Sequence, residues 1–254
     1  MFDFFFKKRE LLPLPYEREL HCHIIPGVDD GAVDMESSVK YLQALQGFGV
    51  KKIVFTPHSI ETRFENDDNI VAPIYEKLCE KALRSGIDME FAFSYEYRID
   101  ERFANMLEAG EYDSSECKLR PLHGRYILVE NSFNHPPYGL DEILFKLQSG
   151  GFYPILAHPE RYGYYALRNG DRYHHLQDMQ LEFQCNVLSF SGHYGDMAKK
   201  AALWLLEQGY VNFLGTDLHN HHHIEALDKF LRSKSYAEIR PLLVKSLRND
   251  AMEL

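Results

Sequence analysis

The stretch Leu140-Asp141-Glu142-Ile143-Leu144-Phe145-Lys146-Leu147-Gln148-Ser149-Gly150-Gly151-Phe152-Tyr153-Pro154-Ile155-Leu156-Ala157-His158-Pro159-Glu160-Arg161 holds the pattern that decides the fold. A helix-like segment over 140–147 stops at Gly150, an apolar run over 152–157 has the length of a buried strand, and a polar block begins at His158. The periodicity changes from helix to strand across a glycine, as it does in an α/β unit.

The same order recurs on both sides. Residues 19–24, 52–56, 89–95, 125–130, 186–190 and 211–215 also read as strands. Between them, 34–48 carries Val39, Leu42 and Leu45 at helical spacing and stops at Gly49, 70–83 stops near Gly86, and 198–206 stops at Gly209. Steady alternation of strand and helix implies parallel strands joined by crossover helices, which predicts an α/β fold of (β/α) barrel type. The 254 residues suit one such barrel as a single domain, with 1–16 as an N-terminal arm.

Charge and cysteine usage narrow the function classes. Twenty-eight basic against 38 acidic residues give a net charge of −10, and no Lys/Arg run offers a footprint for nucleic acid. Cys22, Cys79, Cys117 and Cys185 are far apart and form no C-x-x-C pair, so neither a zinc ribbon nor a disulfide framework is expected and a reducing cytoplasm fits. Met1-Phe2-Asp3-Phe4-Phe5-Phe6-Lys7-Lys8-Arg9 is too short for stable membrane insertion and reads as an arm packing on the body or on a second copy in a homo-oligomer.

Ligands and catalysts of such barrels sit at the carboxyl ends of the strands. The first strand ends in His21 and His23, which share one face because strand side chains repeat every two residues, while Cys22 faces the other way. The next strands deliver His58, Glu96, Glu130 and His158, and the last delivers Asp217 and His219. So many imidazoles and carboxylates on one rim need partners that a bare core does not provide. The set exceeds the about three protein ligands of one catalytic zinc, so two or three divalent ions are expected. Clustered metals suit phosphoryl transfer, and Arg161 would then act as a bidentate clamp on phosphate.

These residues resemble the PHP (polymerase and histidinol phosphatase) superfamily, and within it the bacterial protein-tyrosine phosphatases of CpsB/CapC/YwqE type. The resemblance covers about 19–220. His21-Cys22-His23-Ile24-Ile25-Pro26-Gly27-Val28-Asp29-Asp30-Gly31 is similar to the family's opening motif, Thr56-Pro57-His58 to its second and Glu96-Tyr97-Arg98 to its glutamate motif. Ala157-His158-Pro159-Glu160-Arg161-Tyr162 and Asp217-Leu218-His219-Asn220 are similar to the two that follow. The resemblance implies a distorted (β/α)7 barrel, a trinuclear metal centre held by His21, His23, Asp30, His58, Glu96, Glu130, His158, Asp217 and His219, and Arg161 as phosphate ligand, and these His and carboxylate donors suit Mn, Fe or Zn. Asp30 enters by this comparison alone, since spacing does not separate it from Asp29, and either aspartate could serve as a turn or cap residue beside Gly31. The implied substrate is a phosphotyrosine protein, the tail of a bacterial tyrosine autokinase of capsule or exopolysaccharide synthesis.

Two departures bear on specificity. Ser59-Ile60-Glu61-Thr62-Arg63 follows His58 where many relatives carry a second His or a basic stretch, which makes Arg63 a second candidate phosphate contact, and His221-His222-His223 replaces an arginine-containing loop. No cysteine has an arginine six positions later, so a phosphocysteine mechanism is not expected and metal-bridging hydroxide is the expected nucleophile. The rival readings are a histidinol-phosphatase-like enzyme of small metabolites, an amidohydrolase-like enzyme, for which a lysine should stand in place of Glu96 or Glu130, and a metal-stabilised binding protein without catalysis.

Overall fold

Neighbouring strands pair in parallel throughout the computed structural model, which describes residues 10–108, 119–165 and 170–252. The strands are β1 (Arg18–Glu19), β2 (Lys52–Phe55), β3 (His58–Ser59), β4 (Glu90–Phe93), β5 (Glu96–Arg98), β6 (Tyr126–Glu130), β7 (Tyr153–Ala157), β8 (Glu182–Asn186) and β9 (Phe213–Gly215). They form two hydrogen-bonded sets, β1-β2-β4 and β3-β5-β6-β7-β8-β9. Backbone bonds from Ser94 N to Phe55 O (2.8 Å) and from Glu96 N to Pro57 O (3.1 Å) carry the ladder across the breaks, so β2 with β3 and β4 with β5 each act as one stave. Among the described residues seven staves result, in agreement with the (β/α)7 expectation.

The ring closes where the first stave meets the last. Cys22 bridges Leu218, Asp217 N donates to His21 O at 2.8 Å, and His23 N donates to Leu218 O at 3.0 Å. Below that level the two staves diverge, and side chains fill the gap. Buried Glu19 accepts from the backbone N–H of Leu20, His21 and Thr216, and Asn249 donates to Arg18 O (3.0 Å) and Leu214 O (2.8 Å) while accepting from Leu214 N (3.0 Å). Asp250 accepts from Glu17 N and Arg18 N alongside. A buried backbone group must find a partner somewhere, and here side chains replace a missing ladder.

Helices α1 (Met35–Gly47), α2 (Asp68–Arg84), α3 (Glu101–Glu108), α4 (Leu140–Ser149), α5 (Asp171–Asp178), α6 (Asp196–Glu207), α7 (His221–Leu231) and α8 (Lys234–Ser246) accompany the sheet. Their starts are chemically marked: Asp34, Asp67, Asn220 and Ser233 accept from first-turn N–H groups. Apolar stripes such as Leu140, Ile143, Leu144 and Leu147 of α4 face the staves and are buried. Pro13 accepts from Tyr236 of α8, and Leu14 N donates to Phe48 O at the end of α1. The Phe-rich segment 1–9 and Cys117 lie outside the described residues. Among the described residues no helix is long and apolar enough to cross a membrane.

One strand expectation is overturned. The sixth stave is Glu182–Asn186, and Val187–Ser191, placed by its apolar content in a strand over 186–190, is a 3-10 helix whose Val187, Leu188, Ser189 and Phe190 are all buried. Hydrophobic content marked burial there but not conformation. The first stave is also shorter than its apolar run, with regular pairing confined to Arg18–Glu19.

Candidate metal centre

Strand alternation sends His21 and His23 to the same side, and their Nε2 atoms stand 3.2 Å apart at the carboxyl mouth of the barrel. Around them lie the other strand-end residues. His21 Nε2 is 3.3 Å from Glu96 Oε1 and 3.5 Å from Asp217 Oδ1, and His23 Nε2 is 3.5 Å from Glu96 Oε2 and 3.4 Å from Asp217 Oδ1. His58 Nδ1 lies 2.9 Å from Glu96 Oε2 and 3.2 Å from Glu130 Oε1, while His158 Nε2 lies 2.9 Å from Glu96 Oε1. Four overlapping triplets, His21/His23/Glu96, His21/His158/Asp217, His58/Glu96/Glu130 and His23/His58/His219, each bring their donor atoms within 4.8 Å of one another. All eight residues taken from the strand ends meet here. Asp30 stands at the rim, 3.4 Å from His58 Nε2 and 3.6 Å from His219 Nε2.

The donor set fits cations. Glu130 Oε2 is buried with no hydrogen-bond partner, and so are Asp217 Oδ1 and Glu96 Oε2, although imidazole nitrogens lie 2.9–3.5 Å from the latter two. Such acceptors are costly unless something positive meets them. Charge tells the same story. Burial alone would lower the His21 imidazole, yet Glu96 and Asp217 push it up to about 9, and His58 is raised in the same way by Glu96 against its burial. Although burial opposes it, Glu96 and Asp217 are held well below the usual carboxylate range, Glu96 by His21 and His58 and Asp217 by His21 and His219. The carboxylates attract positive charge, which bound divalent ions would supply.

Neighbouring groups fix the imidazole tautomers. His21 Nδ1 bonds Gln184 Oε1 at 2.6 Å, His23 Nδ1 bonds Asp29 Oδ2 at 2.8 Å and His219 Nδ1 bonds Asp217 O at 2.9 Å, so each Nε2 would offer its lone pair toward the cluster or its rim when a cation takes the place of the proton there. Asp29, the aspartate not chosen as a ligand, also accepts from His58 N (3.1 Å) and Gly31 N (2.9 Å), and its side chain is fully buried. A Cβ at Gly31 would stand 2.0 Å from His23 O, and one at Gly215 would stand 2.6 Å from His21 Cβ, so both positions need glycine for the histidines to seat. His158 (φ 37°) and Asp217 (φ 50°) are left-handed without being glycine, a strain of about 1–3 kcal/mol each that the surroundings impose on two donor residues.

The arginines surround this cluster. Arg161 does not pair with Glu160, which is buried and accepts from Asn186 N and Ser189 Oγ. Its Nη1 lies 2.7 Å from Asp217 Oδ2, and its guanidinium sits 4.7 Å from the Phe133 ring centre and 4.1 Å from that of Tyr194. Arg98 Nη2 contacts Glu130 Oε1 at 3.0 Å, and Arg63 Nη2 bonds Asp30 Oδ2 at 3.1 Å on the exposed rim. His223, in the histidine run that opens α7, bonds Asp217 O through Nδ1 at 3.1 Å. Sequence reading left Gln184, Asn186, Arg98, Phe133 and Tyr194 without a role. Gln184 and Asn186 carry a usable signal, a two-residue alternation like that of His21 and His23, with Asn186 Nδ2 donating to Asp217 Oδ2 at 2.7 Å.

Comparison with known proteins points the same way. The family model "Capsular polysaccharide synthesis, CpsB/CapC" matches residues 18–232. The chain is 29% identical over 203 residues to the tyrosine-protein phosphatase YwqE of Bacillus subtilis (strain 168), covering 80% of this chain and 77% of that protein. It is 30% identical over 213 residues to the tyrosine-protein phosphatase CpsB of Streptococcus pneumoniae, covering 80% and 82%. Among solved structures it matches a chain from the crystal structures of YwqE and CpsB, named there as unique metal-dependent tyrosine phosphatases, with a TM-score of 0.71 at 26% identity over 91% of this chain and 95% of that one.

Proposed function

This chain belongs to the CpsB/CapC capsular polysaccharide synthesis family, and on that premise we propose that it is a metal-dependent tyrosine phosphatase acting on phosphotyrosine proteins. The finer reading is that two or three divalent ions, Mn, Fe or Zn, are held by His21, His23, Asp30, His58, Glu96, Glu130, His158, Asp217 and His219. The substrate would be the tail of a tyrosine autokinase, met in the cytoplasm. One observation carries the chemistry: orphaned buried carboxylate oxygens share one face with an arginine at their edge.

Bound divalent ions at such a site supply Lewis acidity and an activated water. The chain does the rest. Asp29, Gln184 and the Asp217 carbonyl hold the imidazoles in one tautomer, and Arg161, with only one donor engaged on Asp217, has others to offer phosphate oxygens. A tyrosine leaving group, with a pKa of about 10, needs less help from an acid than an alkyl alcohol does. Cys22 takes no part: it is fully buried in the apolar core, and burial pushes its thiol up.

The test is turnover by protein stripped of metal and then reloaded with Mn, Fe or Zn. Activity should return with metal on a phosphotyrosine peptide in preference to histidinol phosphate, and Arg161→Ala should cost on the order of 100-fold or more. Preference for histidinol phosphate would select the metabolite reading, and no turnover with any metal would select a binding protein.

A further inference from the structure

The mouth of the cluster is flanked by two like arrangements. On the second stave's rim, Phe64 stacks on His58 (centroids 5.8 Å apart, planes at 9°), the Arg63 guanidinium lies 4.9 Å from the Phe64 ring centre, and Arg63 holds Asp30. On the fifth stave's rim, His158 carries Phe133, which the loop after the fourth stave supplies, stacked on it (5.4 Å, 21°), Arg161 lies 4.7 Å from the Phe133 ring centre, and Arg161 holds Asp217. His58 and His158, on which the two rings stack, end staves two and five, three places apart in a ring of seven, and both reach Glu96, so the rings flank one cluster from different staves. Phe133 is 44% exposed although its neighbours are firmly tied: Asn131 bonds Tyr162 and Tyr165, and Ser132 O accepts from Tyr164. Phe133 thus leaves part of its ring open beside the charged cluster on a fixed mount, where an aromatic group could stack on it.

We propose that Phe64 and Phe133 are the two walls of a slot for the planar ring of an aryl phosphate, and that they set the preference for phosphotyrosine over serine or threonine esters. The proposal rests on the phosphatase reading above. Glu96, Glu130, His21 and His23 are 0% exposed, so the phosphate must be lowered to them by its ester group. A phenyl ring spans that depth and offers two faces to offset stacking, whereas a serine methylene offers none. Arg63 and Arg161, each beside one wall, then meet the phosphate rather than the ring.

Calorimetric binding of phenylphosphonate and methylphosphonate to the metal-loaded protein reads the slot without turnover. Two aromatic contacts predict that the parent binds the phenyl compound about ten-fold or more tighter, and that Phe64→Leu/Phe133→Leu, which keeps apolar volume, brings the ratio toward one, while Phe64→Tyr/Phe133→Tyr keeps it. Phosphotyrosine-peptide turnover is measured beside it on the same preparations. An unchanged phenyl-to-methyl ratio in the folded double leucine variant overturns the slot, whatever the turnover. A parent that lacks turnover but keeps its phenyl preference overturns the phosphatase reading and leaves an aryl-phosphate binding slot.

Discussion

Asp29→Asn is the sharpest single perturbation of the centre, because it changes one atom beside the proposed ligand His23 and removes none of the cluster itself. Three N–H donors converge on the Asp29 carboxylate: His23 Nδ1 and His58 N on Oδ2, and Gly31 N on Oδ1. Asparagine has one acceptor oxygen. If it faces Gly31, the amide NH2 meets His23 and turns the imidazole into the other tautomer, with its proton on Nε2 toward Glu96 and Asp217, and the His58 N–H loses its acceptor as well; if it faces His23 and His58, only the Gly31 N–H is orphaned. The first outcome removes a lone pair from the cluster, which by the cost of losing a carboxylate behind a metal-bound histidine is about 10–100-fold in metal affinity or activity. At 1.36 kcal/mol per ten-fold this is about 1.4–2.7 kcal/mol. The second leaves a buried donor unpaired at about 1–3 kcal/mol of stability. Metal titration of stripped protein by calorimetry, paired with thermal melts of the same samples, separates the two. Parent-like metal affinity together with a parent-like melting temperature refutes the orienting role of Asp29.

Three further outcomes follow from other parts of the molecule. His21 is raised from 6.5 to about 9, so the stability it contributes is present below pH 6.5 and is lost as pH rises through 9; metal-free protein should melt lower at pH 9 than at pH 6.5, and bound divalent ions, supplying the positive charge themselves, should shrink the difference. Asn249→Ala leaves the backbone groups of Arg18 and Leu214 without their side-chain partners and should cost about 3 kcal/mol, or roughly 10 °C in melting temperature, with activity per folded molecule retained. Cys22→Ala should keep full metal-dependent turnover of a phosphotyrosine peptide, and abolition of turnover in a folded variant would restore the thiol as nucleophile.

Local periodicity and strand-end chemistry made much of the fold legible, and their limits are physical. A stave such as β7 is apolar on both faces until its carboxyl end, so both the strand and the polar block after it stand out in the sequence. The sixth stave hides because Gln184 and Asn186 point into the polar end of the barrel, where they hold His21 and Asp217, which breaks the apolar run and shifts the reading onto 187–190. Cluster residues that terminate strands could be named from their position. Arg98 and Tyr194 could not, since each acts on a residue supplied by a different stave or loop and only three-dimensional closure brings them together, whereas Asp29 acts on His23 only six residues away and is hidden because spacing does not separate it from Asp30.

The side chains that fill the seam between first and last staves also impose an order on folding during synthesis. Asn249 reaches Arg18 across 231 residues and Asp250 reaches Glu17 across 233. Contacts of such long sequence separation form slowly, because the loop must close before they contribute. On a ribosome the stave bearing His21 and His23 emerges first, yet it has its full set of backbone partners only after residue 250 has left the exit tunnel. Vectorial synthesis therefore delays assembly of the centre until Asn249 and Asp250 are available, and a shorter nascent chain ending before residue 217 holds its first two histidines without the Asp217 and His219 that complete their surroundings.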